Sequence, residues 1–273
     1  MPIRRDFTFT SAAGRRLRAF YAEPETESEP ATEPETGGGL TGGADGEAAP
    51  PATRPAVIVV HEIMGLNEDI RRLATRFADN GYVALAPDLV GDGFKPFCIA
   101  RFVQGMGRVG SGRPYREMAA FQDWLVQRPL VDADRVGMAG FCAGGGFAIL
   151  YAARGGRDLR AVAPFYAAMP PDESIIPDVC PMVASYGGRD RSYGKTGPML
   201  QAALDAAGIP NDVKTYPDAG HSFMSRHEGM MARIGPVLPM HAGFDPDASE
   251  DAWGRVLAFF GEHLAPRVPA AGS

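Results

Sequence analysis

The stretch Arg135-Val-Gly-Met-Ala-Gly-Phe-Cys-Ala-Gly-Gly-Gly-Phe-Ala-Ile-Leu150 decides the fold of this chain. Val136 to Ala139 is a short apolar run typical of a buried strand, and Gly145 to Ala153 has helical spacing. Between them, small residues stand two positions before and two positions after Cys142, which is the elbow arrangement of a strand, a sharp turn and a helix. A Cβ at Gly140 or Gly144 would collide with the neighbouring strand or helix. We therefore interpret Cys142 as a candidate nucleophile, although a free cysteine is more often a buried, inert side chain.

Strands and helices alternate along the rest of the chain, which predicts an α/β fold with a mainly parallel sheet and helices on both faces. An antiparallel hairpin precedes this pattern. The predicted strands are residues 3–10, 17–21, 55–60, 82–86, 136–139, 159–166, 181–186 and 212–216. The predicted helices are residues 68–80, 115–127, 145–153, 197–207 and 249–264, the last with Ser249 as its N-cap. Residues 89–114 and 222–245 are expected to be irregular.

Polar residues follow several of the predicted strands, at the point where each strand ends. Glu62, Cys142, Asp190 and His221 occupy these positions. Because the carboxyl ends of parallel strands meet at one edge of a sheet, we expect the four side chains to lie together. The chain order of nucleophile, acid and base is that of the α/β hydrolases. His221 would be the base and Asp190 would orient it.

The remaining site residues rest on weaker signals. Backbone N–H groups of Ala143 and Ile63 are the candidates for an oxyanion hole. Arg113 and Arg226 are candidates for binding a substrate carboxylate, although a solvated role is commoner for arginine. Asp218 competes with Asp190 but lies in a tight turn only three residues before the histidine. The other histidines, His61, His227, His241 and His263, are expected to include surface side chains. The glycine pattern Gly105 to Gly110 lacks a preceding strand and is interpreted as a loop.

Composition excludes several classes of function. The 273 residues carry a formal charge of −6, with no basic face that would suit nucleic acid. No apolar run approaches the roughly 20 residues needed to span a bilayer, and the amino terminus lacks the apolar core of a secretory signal. Three cysteines without framework or metal-ligand spacing indicate a reduced, cytoplasmic protein. We expect a small-molecule substrate, no nucleic-acid or membrane partner, and a monomer or weak homodimer.

One segment does not fit a packed domain. Residues 23 to 53 hold eight acidic side chains and no Lys or Arg, and Leu40 is their only large apolar residue. Such a segment cannot bury enough apolar surface to offset its ordering entropy, so we predict a disordered insertion. The expected organisation is therefore a hairpin at 1–22, the insertion at 23–54, the catalytic domain at 55–265 and a frayed tail at 266–273.

Four motifs, taken in order, resemble the dienelactone hydrolase family, a branch of the α/β-hydrolase superfamily. They are His61-Glu-Ile-Met-Gly-Leu-Asn67, Gly140-Phe-Cys-Ala-Gly-Gly-Gly146, Gly187-Gly-Arg-Asp190 and Ala219-Gly-His-Ser-Phe223. The resemblance covers about residues 55–264 and the hairpin. It implies a Cys-His-Asp triad that opens a lactone or ester through an acyl-enzyme, with no metal or organic cofactor. It also implies that the resting thiol is neutral and turned toward Glu62, and that substrate binding displaces Glu62, which then takes the thiol proton.

The chain departs from the family pattern in two places. The acidic insertion is not part of the family core. The arginine that binds the substrate carboxylate in the family is not cleanly matched, since Ser225 lies near its expected position and Arg226 one residue further on. Two alternatives therefore stay open beside a small-lactone hydrolase. One is a thioesterase or carboxylesterase for bulkier acyl groups, and the other is a non-catalytic ligand or redox sensor on the same fold.

Overall fold

One continuous β-sheet runs through the computed structural model, which describes residues 2–25, 52–91, 93–154, 158–226 and 233–266. Within these residues the strands are β1 (Arg4–Thr10), β2 (Arg16–Ala22), β3 (Arg54–Val60), β4 (Val83–Pro87), β5 (Val131–Phe141), β6 (Ala161–Phe165), β7 (Met182–Gly187) and β8 (Asn211–Tyr216). The α-helices are α1 (Glu68–Asp79), α2 (Lys95–Met106), α3 (Arg113–Val126), α4 (Ala143–Arg154), α5 (Thr196–Ala206) and α6 (Pro246–His263). Short 3₁₀ helices span Glu173–Asp178 and Gly235–Val237.

The strands follow the order β1-β2-β4-β3-β5-β6-β7-β8 across the sheet. The hairpin β1–β2 is antiparallel and joins the edge of β4 in antiparallel fashion, whereas all later pairs are parallel. The predicted architecture, a mostly parallel sheet with an N-terminal antiparallel hairpin, is therefore confirmed. Parallel pairing places the carboxyl ends of β3, β5, β6, β7 and β8 along one edge.

Both faces of the sheet are buried, as the continuous apolar run of β3 requires. Ala56, Ile58 and Val60 of β3 pack into the core that contains α3 and α4, while Val57 and Val59 point into the opposite core. The second core is closed by α1 and α6, where the Phe77 ring packs between those of Trp253 and Phe260 at centroid distances of 4.6 and 6.1 Å. Helices therefore cover both faces and leave the carboxyl edge free for loops.

The structure corrects two local predictions. Part of the segment 89–114, expected to be irregular, forms the helix α2, which begins at a proline-containing first turn and buries Cys98, Phe102 and Gly105 on one face. The glycines of the segment obscured that spacing. The last helix begins at Pro246 rather than Ser249, because the side chain of Asp245 accepts the N–H of Ala248 and caps it.

Parts of other predictions fall outside the described residues, including most of the insertion (26–51), the tail after 266 and His227. The domain boundaries that depend on them stay predictions. Among the helices of the described ranges, none combines the length and apolarity that a bilayer crossing needs.

Candidate active site

The turn between β5 and α4 holds Cys142 in a left-handed backbone conformation, with φ of +53°. The glycines on either side make this turn possible. A Cβ on Gly140 would lie 2.2 Å from the carbonyl oxygen of Gly144, and a Cβ on Gly144 would lie 2.4 Å from that of His61. Both distances are far inside van der Waals contact. The elbow therefore requires glycine on both sides and lifts the Cys142 side chain to the sheet edge, where it is partly exposed.

Five polar side chains lie just beyond the ends of five parallel strands. Glu62 follows β3, Cys142 follows β5, Tyr166 follows β6, Asp190 follows β7 and His221 follows β8. Four of them are the residues predicted from the sequence. Tyr166 was missed, although the same rule points to it, because a tyrosine directly after the apolar run of β6 was interpreted as the end of that strand.

His221 and Asp190 form a buried pair. Nδ1 of His221 lies 2.6 Å from Oδ2 of Asp190, and both side chains are almost completely shielded from solvent. The other carboxylate oxygen, Oδ1, accepts the backbone N–H groups of Ser192 at 2.9 Å and Tyr193 at 3.2 Å. The competing Asp218 is exposed. Because a carboxylate only accepts hydrogen bonds, Nδ1 carries the proton and Nε2 is turned the other way.

The environment of His221 favours its charged form. Burial lowers the pKa of the imidazole, but the hydrogen bond with Asp190 and the interaction with the Cys142 sulfur outweigh burial and raise it to about 9. Nε2 is buried and has no hydrogen-bond partner of good geometry among the described residues. The imidazole ring lies between the rings of Tyr166 and Tyr193, at centroid distances of 4.9 and 5.4 Å. The Asp190 carboxylate and the Cys142 sulfur therefore both favour the protonated imidazole.

The loop that carries His221 is braced by backbone contacts. The His221 N–H donates to the carbonyl oxygen of Met240 at 2.8 Å, and its own carbonyl oxygen accepts the N–H of Gly243 at 3.0 Å. From the other side, the Arg72 guanidinium on α1 donates to the carbonyl oxygen of Met224 at 2.9 Å. These contacts fix the position of the imidazole against the elbow.

Glu62 is buried and is held by two hydroxyl groups. The Ser225 hydroxyl donates to Oε1 of Glu62 at 2.7 Å, and the Tyr166 hydroxyl lies 3.2 Å from the same oxygen. The two hydroxyl oxygens are 3.1 Å apart. Burial, followed by the charge of Glu62, raises the pKa of the Tyr166 phenol well above its ordinary value. Both hydroxyls therefore stay protonated and available to the carboxylate.

His61 is fully buried and is not one of the surface side chains expected among the other histidines. Its Nε2 accepts the N–H of Leu89 at 3.0 Å, which leaves Nδ1 to donate to the carbonyl oxygen of Glu62 at 2.6 Å. Burial, acting against the nearby Asp88, lowers the pKa of the ring, which is therefore neutral. His61 fixes the backbone that carries Glu62. Its position directly after the apolar run of β3 was the signal in the sequence.

Two backbone N–H groups near the elbow make no hydrogen bond within the described residues. One belongs to Ala143, the first residue of α4, whose N–H has no helical partner. The other belongs to Ile63, in the loop after β3. The loop is close to the elbow, because the Gly144 backbone packs against the carbonyl groups of Val60 and His61. These are the two donors expected from the sequence.

Comparison with known proteins identifies the family. The profile of the dienelactone hydrolase family matches residues 45–264. The chain belongs to the dienelactone hydrolase family. It is therefore a carboxylic ester hydrolase of the dienelactone hydrolase type, which confirms the resemblance carried by the four motifs.

Among the relatives of this dienelactone hydrolase family member is a protein of Salmonella typhimurium strain LT2, provisionally named carboxymethylenebutenolidase. It is 30% identical over 224 residues, which are 77% of each chain. A protein of the same provisional name from Escherichia coli strain K12 is 27% identical and covers 94% of this chain and 86% of its own. A crystal structure described as that of a provisional dienelactone hydrolase from Klebsiella pneumoniae superposes with a TM-score of 0.70. It shares 25% identity and covers 96% of this chain and 99% of its own.

The two arginines predicted to meet a substrate carboxylate have other contacts in this family member. Arg113 forms an ion pair with the buried Glu117 at 2.9 Å. Arg226 is exposed, with its guanidinium 5.0 Å from the centre of the Phe244 ring. Within the described residues, neither guanidinium hydrogen-bonds to Cys142 or His221. These contacts give the predicted substrate role no support.

The other two cysteines have no part in this site. Cys98 is a buried residue of α2, and burial raises the pKa of the Cys180 thiol to about 12. All three thiols are free. In the described parts of the chain, no group of His, Cys, Asp and Glu side chains has the arrangement of a metal site.

Proposed function

We propose that this family member hydrolyses a small lactone or carboxylic ester through an acyl-enzyme on Cys142. The observation that carries the proposal is the buried pair of His221 and Asp190, whose imidazole lies near enough to the Cys142 sulfur for that sulfur to raise its pKa. This is the arrangement in which a sulfur nucleophile is activated and a leaving group is protonated. The chemistry of acyl transfer needs no other group than those already present.

The proton that leaves the thiol goes to Glu62 in this proposal. His221 already holds a proton at neutral pH, since its pKa is raised to about 9, so it is a poor acceptor for a second one. Glu62 is the carboxylate that shares the neighbourhood of Tyr166 with Cys142. Transfer of the thiol proton to Glu62 would leave a thiolate beside the imidazolium, which is the reactive form.

The remaining steps balance in protons. The thiolate attacks the carbonyl carbon, and the oxyanion that forms is stabilised by the N–H groups of Ile63 and Ala143. As the carbon–oxygen bond breaks, the imidazolium of His221 protonates the leaving alkoxide and becomes neutral. A water molecule then gives its proton to His221 and attacks the thioester. Release of the acid restores the thiolate, and Glu62 returns the proton to the sulfur.

The elbow thiol, the exposed loop after β3 and the relatives' provisional name, carboxymethylenebutenolidase, support a small lactone or ester as substrate. Met64 and Ile63 are exposed beside the proposed oxyanion hole and would offer an apolar wall to an acyl group.

We place the protein in the cytoplasm on the strength of its three free thiols. A monomer or weak homodimer stays a prediction.

A panel of lactones, aryl esters and thioesters tests the proposal. We expect Cys142→Ala to abolish turnover, while Cys98→Ala and Cys180→Ala keep it, because neither of the other thiols lies at the site. Mass spectrometry of a quenched slow substrate is expected to locate the acyl group on Cys142. Wild-type turnover that survives Cys142→Ala would overturn the assignment of the nucleophile. A preference for long thioesters would point to the thioesterase alternative.

A further inference from the structure

Three side-chain oxygens meet in a triangle at the buried end of the site. They are Oε1 of Glu62, the hydroxyl of Ser225 and the hydroxyl of Tyr166, with separations of 2.7, 3.2 and 3.1 Å. The three residues come from distant parts of the chain, and all are buried. Tyr166 also carries a strained backbone, with φ of +40°, which persists only where the surroundings hold it in place.

The hydrogen atoms of the triangle can be counted. When Glu62 is ionised, the two hydroxyls supply two protons, and both can point at Oε1. When Glu62 gains a proton on its other oxygen, Oε1 becomes a weaker acceptor. The Tyr166 hydroxyl can then turn to the Ser225 oxygen, which lies at nearly the same distance, while Ser225 still donates to Oε1. Both hydroxyl groups therefore have an acceptor in either protonation state of Glu62.

The charged groups around the three oxygens affect how readily Glu62 takes up a proton. Cys142 and Asp69 both act on the Tyr166 phenol, and the His221 ring packs against it. Asp69 is paired with Arg72 on α1. Within the described residues, no Lys or Arg hydrogen-bonds to Glu62. A cation there would favour the carboxylate and oppose uptake of a proton, whereas hydroxyls bring no net charge.

We propose that Ser225 and Tyr166 are positioning residues that hydrogen-bond to Glu62 in both its charged and its neutral form while it accepts and returns the thiol proton. The inference rests on the proposed function, since it assigns a role to two residues in the thiol-activation step. It also assigns a purpose to Ser225, which stands where the sequence led us to look for a cation.

The test is a double-mutant cycle on kcat/KM with an aryl ester. Ser225→Ala is expected to lower kcat/KM about tenfold and to move the acid limb of its pH profile upward, because a donor to the ionised carboxylate is lost. Tyr166→Phe is expected to cost about threefold, since its contact is longer. In a Glu62→Gln background, Ser225→Ala is expected to cost less than about twofold, because its effect is routed through the carboxylate.

Matched controls are present in the same chain. The Ser249 hydroxyl and the Tyr186 hydroxyl are buried and have no hydrogen-bond partner within the described residues. Ser249→Ala and Tyr186→Phe therefore remove the same groups from sites where they bond to nothing, and both are expected to keep the wild-type pH profile. Thermal unfolding of each variant checks that the fold is retained.

The outcomes separate the inference from the function on which it rests. Turnover that does not need Cys142 would overturn the proposed function. Cys142-dependent turnover that is unchanged in Ser225→Ala and Tyr166→Phe would overturn this inference alone. Equal losses from Ser225→Ala in the wild-type and Glu62→Gln backgrounds, with an unmoved acid limb, would do the same, because they would indicate a purely structural role.

Discussion

Nδ1 of His221 donates to Oδ2 of Asp190 across 2.6 Å, although the two residues lie on separate loops after β8 and β7. Burial alone would drive the imidazole toward its neutral form. The carboxylate reverses that tendency and, with the sulfur of Cys142, raises the pKa of His221 to about 9. In the proposed mechanism, the proton on this imidazole is the one that the leaving group receives.

Replacing Asp190 by Asn is expected to move the basic limb of the kcat/KM profile to lower pH. The pKa of His221 falls when its acceptor loses its charge, so the imidazolium is lost at a lower pH than in the wild type. We expect a loss of about 100-fold at pH 8. A pH series with an aryl ester measures both effects. Asp218→Asn, at an exposed carboxylate three residues before His221, is the matched control and is expected to change neither. An unmoved basic limb in Asp190→Asn would contradict the assignment.

Replacing Gly144 by Ala is expected to disrupt the elbow. The new Cβ would lie 2.4 Å from the carbonyl oxygen of His61 and 2.6 Å from that of Val60, and both are backbone atoms of β3 or its end. We expect the free energy of unfolding to fall by about 3 kcal/mol and the activity to be lost. Gly146→Ala, on the same helix, meets its nearest atom only at 4.0 Å and is expected to be neutral or stabilising. Denaturant unfolding compares the two, and equal stabilities would refute the steric argument.

Replacing His61 by Ala is expected to destabilise the loop that carries Glu62. Both ring nitrogens are bonded to backbone, so the change removes two hydrogen bonds and leaves a buried cavity. We expect a loss of about 3 kcal/mol in the free energy of unfolding. His263→Ala, near the end of α6, is the control and is expected to change stability by less than about 1 kcal/mol.

His61 is also expected to make the free energy of unfolding fall at acid pH. Burial holds the pKa of His61 below its ordinary value, so below pH about 6.5 the unfolded chain binds a proton that the folded chain does not. Stability from this residue is therefore present above that pH and lost as the pH falls. Unfolding free energies at pH 7.5 and 5.5 are expected to differ less in His61→Ala than in the wild type. Parallel pH curves for the two proteins would argue against a neutral His61.

Alkylation by iodoacetamide is expected to be selective for Cys142. Cys98 is buried and shielded from the reagent, and the pKa of Cys180 is raised to about 12, so Cys180 presents little thiolate at neutral pH. If the resting thiol keeps its proton until Glu62 accepts it, labelling of Cys142 is slow in the idle enzyme and accelerates with a substrate analogue. Peptide mapping identifies the labelled residue. Fast labelling of the idle protein would favour a redox-sensing role instead.

The amino-acid pattern predicts most of the secondary structure because the signals are local. The strand, turn and helix around Cys142 follow from apolar runs and from glycines that sterics demand. The helix α2 was missed because Gly93, Gly105, Gly107 and a proline mask its spacing, although one face is buried. The start of α6 was misplaced because Asp245, not Ser249, supplies the cap.

Some of the site residues could be predicted from local signals in the sequence, and others could not. Glu62, Cys142, Asp190 and His221 could be found because each directly follows a strand, and parallel strands end at one edge. Tyr166 obeys that rule too, but an aromatic residue after an apolar run looks like core. The roles of Ser225 and His61 depend on which atoms their side chains meet, and nothing in the neighbouring sequence states this.

The sequence by itself determined the family, the elbow and the order of the catalytic candidates, because these depend on residues close together in the chain or on a repeated strand-end position. Only the tertiary structure decided which side chains contact one another. Ser225 reaches Glu62 across 163 residues of chain, and Arg113 turns to Glu117 instead of the elbow. Such contacts depend on side-chain direction and burial, and these are fixed only when the sheet, the helices and the loops have packed together.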